Sequence, residues 1–136
     1  MSQPINVVVT GGRDFNDAAF VNRVLDDIRP FRIFHGACGV DADKQDWRKL
    51  KGADKLANDW AISRGVFVLG VPAAWSRLGL RAGPVRNKRL ITDYLPNLVI
   101  AFPGGNGTRN LISHAEHYGT RIIAYNEHLI RIENRL

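Results

Sequence analysis

Residues 98–108, with the sequence LVIAFPGGNGT, decide the fold of this chain. The apolar run 98–102 predicts a buried strand, and the glycine-rich turn after it leads at Thr108 into a segment with helical spacing. Glycines let a ligand approach the backbone closely, and the free N–H groups of a helix N-terminus favour a phosphate. The stretch could also be a plain tight turn between strand and helix. We favour phosphate binding because the Thr108 hydroxyl adds a donor beside those N–H groups.

The rest of the chain repeats this order of strand, turn and helix. Amphipathic helical patterns separate apolar, strand-like runs at residues 6–10, 32–35, 66–71, 98–102 and 121–125. Regular alternation of this kind predicts parallel strands joined by right-handed crossovers. We therefore expect a single α/β domain over residues 1–136, a small Rossmann-like doubly wound parallel sheet with the strand order 3-2-1-4-5.

This strand order makes the first and fourth strands neighbours. The turn Gly11-Gly12-Arg13 after the first strand then faces the turn at 104–108 at the switch point of the sheet, where such folds bind ligands. The second turn is neither a Walker A motif nor the usual Gly-x-Gly-x-x-Gly of dinucleotide enzymes. The predicted adjacency of the two turns, rather than either sequence alone, indicates a shared phosphate site.

Composition limits the classes of protein that the chain can belong to. With 136 residues, 45% of them hydrophobic, it can bury one core. No apolar run approaches the ~20 residues that a membrane helix needs, and residues 1–5 lack the features of a signal peptide. A single cysteine, Cys38, excludes an internal disulfide and suits a reducing compartment. We expect a cytoplasmic protein that does not bind membranes.

Two segments fall outside the regular pattern. Residues 40–52 are polar and aperiodic, which predicts an inserted surface loop that serves as a functional lid or a flexible segment. Trp47 within it either anchors the loop or stacks on a base. In the C-terminal tail, residues 127–136, apolar and polar side chains alternate, which predicts a sixth, edge strand or a dimer contact.

Basic side chains at the turns are candidates for binding an anion, and the net charge of +6 suits an anionic partner. Arg13 either binds a phosphate bidentately or pairs with a neighbouring aspartate. Arg86 and Asn87, in the first turn of a helix, either reach into the crevice or tether the loop at 73–84.

Other polar and aromatic residues leave alternatives open. Asp54 can cap its own helix or bind a ribose hydroxyl, and Trp75 can cover a base or join the core. His35 ends a strand and is best explained as a structural histidine. Cys38 could be a nucleophile, but no third group is identifiable. Asp14 is the carboxylate best placed to meet a sugar, and the sequence offers no metal site.

Four motifs carry a resemblance to a known superfamily. They are Val9-Thr10-Gly11-Gly12-Arg13-Asp14-Phe15, His35-Gly36-Ala37 with Gly52-Ala53-Asp54, Ala82-Gly83-Pro84-Val85-Arg86-Asn87 and Ala101-Phe102-Pro103-Gly104-Gly105-Asn106-Gly107-Thr108. With these motifs in this order over residues 6–125, the chain resembles the YspA-like branch of the SLOG superfamily, which groups LOG phosphoribohydrolases with DprA-type proteins.

The resemblance implies a Rossmann-like fold that binds nucleotides or nucleotide-derived ligands. Members are thought to sense or process NAD- or ADP-ribose-type molecules, often in stress, phage and defence settings. Matching the motifs assigns residues 103–108 to phosphate binding and Arg86 to the LOG substrate arginine. Because LOG-like relatives usually form dimers, the resemblance also implies a homo-oligomer.

One position departs from the LOG pattern. LOG enzymes carry a glutamate in the first helical turn after their Pro-Gly-Gly-x-Gly-Thr motif, and it serves in cleaving the N-glycosidic bond. Here Thr108 is followed by Arg109-Asn110-Leu111. An arginine in place of the glutamate favours holding an anion over assisting glycoside cleavage.

We therefore expect a nucleotide-binding protein, a sensor or sequestering module with no certain cofactor. One alternative is an enzyme, a nucleotide N-glycosidase or phosphohydrolase that uses Asp14 or the loop carboxylate Asp41. The other is DprA-like binding of single-stranded DNA, which the scattered basic residues disfavour. The expected ligand-binding residues are Gly11, Gly12, Arg13, Gly36, Asp54, Arg86, Asn87, Pro103, Gly104, Gly105, Asn106, Gly107, Thr108 and Arg109.

Overall fold

A computed structural model describes residues 3–134 of the chain. Its strands are β1 (Asn6–Thr10), β2 (Arg32–His35), β3 (Phe67–Gly70), β4 (Leu98–Ala101), β5 (Arg121–Tyr125) and β6 (Arg131–Glu133). Its α-helices are α1 (Ala18–Ile28), α2 (Gly52–Arg64), α3 (Trp75–Leu78), α4 (Ala82–Thr92) and α5 (Asn106–His117). Short 3-10 turns occupy Trp47–Lys49 and Gly79–Arg81.

The strands form one sheet in the order β3-β2-β1-β4-β5-β6. The first five strands of that order are parallel to their neighbours, and β6 runs antiparallel to β5 at the edge. The Rossmann-like α/β class and the predicted order 3-2-1-4-5 are therefore confirmed. Of the two interpretations of the tail, the edge strand is the one that the structure contains.

Alternation along β1 divides the apolar core into two layers. Val7 and Val9 face α1 and α2 on one side of the sheet, while Val8 faces α4 and α5 on the other. Successive residues of a strand point to opposite faces, so a strand covered on both sides must be apolar throughout. This explains why the buried runs contain so few polar residues. Because these strands are parallel, the turns that lead from them into helices all lie at one edge of the sheet.

Several predicted boundaries differ from the structure. Helix α5 begins at Asn106 rather than at Thr108, because Gly105 takes the N-cap position. The predicted loop at 73–84 contains α3 and a 3-10 turn, and it ends where α4 begins at Ala82. Beyond the end of α4, Leu95 has φ 48° and is 74% exposed.

The inserted segment at 40–52 is a packed part of the fold. Val40 and Leu50 are buried with Ala37 in a small separate cluster, and α2 already begins at Gly52. Trp47 packs against Gly70 at the end of β3. The anchoring interpretation of Trp47 is therefore the one that fits its contacts.

Candidate functional site

A cavity of about 1140 Å³ opens at the carboxyl ends of β1, β2 and β4. Both glycine turns line it, as predicted from the strand order, and they touch each other: the Gly12 N–H donates to the Pro103 carbonyl oxygen at 2.8 Å. A Cβ atom on Gly12 would lie 2.9 Å from that oxygen, so the close approach requires a glycine. Apart from Arg109, the cavity is lined by all the residues that the sequence predicts as ligand-binding.

The N-terminus of α5 points a set of free donors at this cavity. The first hydrogen bond of the helix runs from the Arg109 N–H to the Gly105 carbonyl at 3.0 Å, and Gly105 offers no side-chain cap. The N–H groups of Asn106, Gly107 and Thr108 therefore have no acceptor within the helix. Thr108 is buried beneath Gly104, where its hydroxyl lies directly below the turn. We call the turn and first helical residues, 103–108, the α5 cradle.

Arg86 both tethers the strand ends and lines the cavity. Its Nη1 donates to the carbonyl oxygens of Gly36 and Val71, the latter at 3.1 Å, so it ties α4 to the ends of β2 and β3. A Cβ on Gly36 would lie 2.6 Å from the guanidinium, which is why this position lacks a side chain. Burial lowers the pKa of Arg86, while Asp54 and Cys38 oppose that shift. Its Nη2 has no hydrogen-bond partner within residues 3–134.

Asn87 uses its polar atoms to join α4 to the α5 cradle. Its Nδ2 donates to the Gly107 carbonyl at 3.2 Å and to Asn110 Oδ1 at 3.1 Å, while its Oδ1 accepts from Arg86 Nε at 2.8 Å. The side chain is buried, and its hydrogen-bonding groups are engaged within the protein. Asn87 thus positions the cradle, and it also lines the cavity, where the sequence predicted a ligand contact.

Asp54 does not cap its own helix: Lys51 takes the N-cap position of α2, without a side-chain cap. The buried carboxylate of Asp54 accepts from the Cys38 N–H at 3.0 Å, with the Gly36 N–H as a second donor. Burial raises the pKa of Asp54, and the nearby His35 and Arg86 oppose that shift. Asp54 lines the cavity while its carboxylate holds the turn after β2.

His35 completes the support of that turn. Its Nδ1 accepts from the Ala37 N–H at 3.0 Å, so its proton lies on Nε2, 2.9 Å from Asn58 Oδ1. Ala37 has φ 52°, a conformation that residues with side chains rarely adopt. His35 and Asp54 thus accept the N–H groups of three successive residues, a concave arrangement that often binds an anion. Side chains of the protein already fill this arrangement, whereas the N-terminal N–H groups of the α5 cradle have no acceptor within their helix. The prediction of a structural His35 is confirmed.

Arg13 and Asp14 are exposed and line the cavity, so each is available to a ligand. The alternative in which Arg13 pairs with Asp14 or Asp17 is wrong, since no such ion pair exists in the described chain. Arg109 lies outside the cavity. It is exposed and donates to the Asn106 side chain. The expectation that Arg109 faces the ligand does not fit this placement.

Cys38 is a poor nucleophile in its surroundings. Burial and the charge of Asp54 raise the pKa of the thiol, although Arg13, Lys51 and Arg86 lie near enough to oppose the shift. The neutral thiol therefore prevails, and the thiolate is the reactive form.

The sequence did not predict two apolar parts of the cavity lining. Phe15 lines it and stacks on Phe102 at 5.6 Å between ring centroids, and Leu80 lines it while 92% exposed. The loop at 40–52 is fastened to the segment after β3, because the Ala42 N–H donates to the Ala73 carbonyl at 3.0 Å. Opposite charges in the two polar loops were a signal for this contact, since both carry residues that could pair.

Residues 3–134 contain neither a membrane-crossing helix nor a cluster of metal-binding side chains. None of their helices combines the length and apolar character needed to cross a membrane. Nor do any three His, Cys, Asp or Glu side chains there come together as ligands for a metal ion.

The sheet order, the crossovers and the cavity at the switch point define a Rossmann-like protein whose free backbone donors converge on one crevice. The chain belongs to the YspA, cpYpsA-related SLOG family, called YAcAr, whose family model matches residues 5–78. The match includes the turns after β1 and β2 and the start of α2, and it ends before Arg86 and the α5 cradle. No curated protein matches the chain.

Proposed function

We propose that the protein binds a phosphate-bearing, nucleotide-derived ligand in this cavity and acts as a sensor or sequestering module. The observation that carries the proposal is the contact between the Gly12 turn and the α5 cradle, which brings two glycine turns and a free helix N-terminus to one point. Membership of the SLOG family supports a nucleotide-related ligand.

The α5 cradle suits a phosphate on electrostatic grounds. The dipole and free N–H groups of a helix N-terminus stabilise an anion by about 0.3–2 kcal/mol. The Arg13 guanidinium, exposed on the facing turn, can add a bidentate contact to the same group. Asp14 beside it accepts hydrogen bonds only, which suits the hydroxyls of a ribose.

Binding without turnover is supported by the state of the candidate catalytic groups. The Asp54 carboxylate accepts backbone N–H groups, Cys38 is held as a neutral thiol, and Arg109 stands where LOG enzymes have their glutamate. Asp14 is the exposed carboxylate that the enzymatic alternative, an N-glycosidase or phosphohydrolase, would use. ADP-ribose or another NAD-derived molecule fits a role in stress or phage defence, and a nucleoside phosphate is the simpler candidate.

Calorimetry against ADP-ribose, cyclic ADP-ribose isomers, NAD and nucleoside monophosphates tests this proposal. We expect saturable binding of at least one, lost when Arg13→Ala is combined with Gly105→Ala. Arg89→Ala, at an exposed arginine outside the cavity, is the control substitution. A folded protein that binds none of these compounds would refute the proposal.

The same samples decide between binding and turnover. After long incubation, the ligand should be recovered intact by chromatography and mass spectrometry. If a base or phosphate is released, and Asp14→Asn abolishes that release, the protein is an enzyme rather than a sensor.

A further inference from the structure

We propose that residues 75–81, α3 with its following 3-10 turn, form a subsite for a planar aromatic base, which stacks on Trp75 and is flanked by Leu80. We call these residues the base segment. This inference rests on the proposed function, since it assigns a binding place to the base of a ligand whose phosphate lies in the α5 cradle.

The size of the cavity requires a second point of contact. Its volume of about 1140 Å³ lies just above the range for small-molecule sites, roughly 300–1,000 Å³, and far above what one phosphate needs. The α5 cradle supplies polar donors at one end only. A ligand that fills the cavity must therefore carry an organic group away from its phosphate.

Both large exposed apolar side chains of the cavity lining, Trp75 and Leu80, belong to the base segment. Trp75 is 42% exposed and Leu80 92% exposed, and both line the cavity. Exposed apolar groups at the rim of a crevice are typical of ligand-binding surfaces. A nucleotide base has a flat π face that stacks on an aromatic side chain and that an aliphatic side chain can cover.

The base segment is held in place before any ligand arrives. Ser76 donates to the Asp41 carboxylate, and Arg77 forms an ion pair with Asp43 at 2.8 Å, so the loop at 40–52 fastens the segment from outside. On the inner side, a Cβ on Gly83 would lie 3.0 Å from the Trp75 ring, which shows how closely the ring packs on the start of α4. Stacking on a fixed ring loses less conformational entropy than stacking on a mobile one.

The surroundings of Trp75 favour a neutral, planar group. Of the charged side chains near it, Arg77 is already paired with Asp43, and Asp41 accepts from Ser76. A base offers an uncharged face to this surface. The remaining cation of the segment, Arg81, is exposed and does not line the cavity, so it is not placed to hold a second phosphate there.

Binding of AMP and of ribose 5-phosphate, which lacks only the base, tests the inference. Wild type should bind AMP more tightly, and Trp75→Ala should weaken AMP binding by about 10- to 100-fold while leaving ribose 5-phosphate unchanged. Phe31→Ala is the control, because Phe31 is also an exposed aromatic residue, at 52%, but it does not line the cavity. Leu80→Ser, at a residue exposed enough to leave folding unaffected, should weaken AMP in the same selective way.

Each outcome has a distinct meaning. Equal affinity of wild type for AMP and ribose 5-phosphate, or an equal loss of both in Trp75→Ala, overturns the base subsite and leaves phosphate binding intact. Binding of neither compound, nor of ADP-ribose, its cyclic isomers, NAD or the other nucleoside monophosphates, overturns the proposed function itself. Tryptophan fluorescence is an independent readout: AMP should change the emission of Trp47→Phe and leave that of Trp75→Phe nearly constant, and the reverse result contradicts the inference.

Discussion

The backbone N–H of Gly12 donates to the carbonyl oxygen of Pro103 at 2.8 Å, although 91 positions separate the two residues in the sequence. This bond extends the pairing of β1 with β4 beyond the ends of the strands. It joins the two turns at the point where the chain has reversed its direction across the sheet. The cavity exists because the helices that follow these two turns, α1 and α5, leave on opposite faces of the sheet.

Gly12→Ala should destabilise the fold. The new methyl would lie 2.9 Å from the Pro103 oxygen and 3.3 Å from the Gly104 Cα, and both are backbone atoms that cannot move independently. We expect a loss of about 1–3 kcal/mol in the free energy of unfolding, measured by urea denaturation. Gly105→Ala has open space around its Cβ and should stay within about 0.5 kcal/mol of wild type. Equal stability of the two variants would argue against the tight contact.

Gly107→Ala should separate binding from stability. Nothing lies within 4 Å of the position that its methyl would take, and alanine is the better helix former, so the free energy of unfolding should rise by up to about 1 kcal/mol. Because Gly107 lines the cavity and belongs to the first turn of α5, the same methyl intrudes on the space next to the free N–H groups. Calorimetry should therefore show weaker ligand binding by a more stable protein. Unchanged affinity would place the phosphate elsewhere.

The sequence was sufficient to predict the sheet, its order and the meeting of the two turns, because apolar runs and glycine turns are local signals that parallel topology then brings together. The sequence was insufficient to predict which groups the side chains at the turns contact. Helix α5 starts two residues earlier than predicted. Within this helix, Arg109 lies on the face opposite the buried Leu111 and Ala115. Asp54 lies at a helix start, but its carboxylate accepts a hydrogen bond from the turn after β2. A local pattern could not predict this contact, because the partner is 16 residues away in sequence.

The segment after β3 shows the same limit. Its composition predicted a loop, and one turn of α-helix is too short to produce a periodic pattern. Its fastening to the loop at 40–52 depends on long-range contacts such as Arg77 with Asp43. The proposed base subsite therefore depends on contacts that the sequence does not show, although Trp75 was a candidate from its residue type.

Arg86→Ala should destabilise the protein more than its half-buried position suggests. Its guanidinium satisfies the Gly36 and Val71 carbonyls at the ends of β2 and β3, and each buried acceptor left without a partner costs about 1–3 kcal/mol. Arg86→Lys should recover only part of this, since an ammonium cannot span both carbonyls and Asn87 together.

Arg89→Ala on the same helix is the control for Arg86. Arg89 forms an exposed ion pair with Asp93, and such pairs contribute about 0.3–0.5 kcal/mol. Urea denaturation of the three variants should rank Arg86→Ala as least stable, Arg86→Lys next and Arg89→Ala close to wild type. If Arg89→Ala lowered the free energy of unfolding as much as Arg86→Ala, the hydrogen bonds from Arg86 to the ends of β2 and β3 would not be the cause of the loss.

Cys38 reports on the electrostatics of the cavity because it is the only cysteine of the chain and lines the site. Burial and Asp54 raise the pKa of its thiol above the ordinary 9.0, so at a given pH it has less of the reactive thiolate than a free cysteine. The rate of alkylation by iodoacetamide should therefore rise with pH along a curve displaced to higher pH than that of glutathione, followed by mass spectrometry. Asp54→Asn removes a negative charge that raises the pKa and should displace the curve back toward lower pH.

Ligand binding should act on the same thiol. A nucleotide bound in the cavity covers Cys38 and adds negative charge near it, and both effects reduce the thiolate available for alkylation. We expect AMP or ADP-ribose to slow labelling at pH 8.5 in wild type and to have little effect in Gly107→Ala at the same concentration. Labelling that proceeds equally fast with saturating ligand, as verified by calorimetry, would place that ligand outside the cavity formed by the two glycine turns.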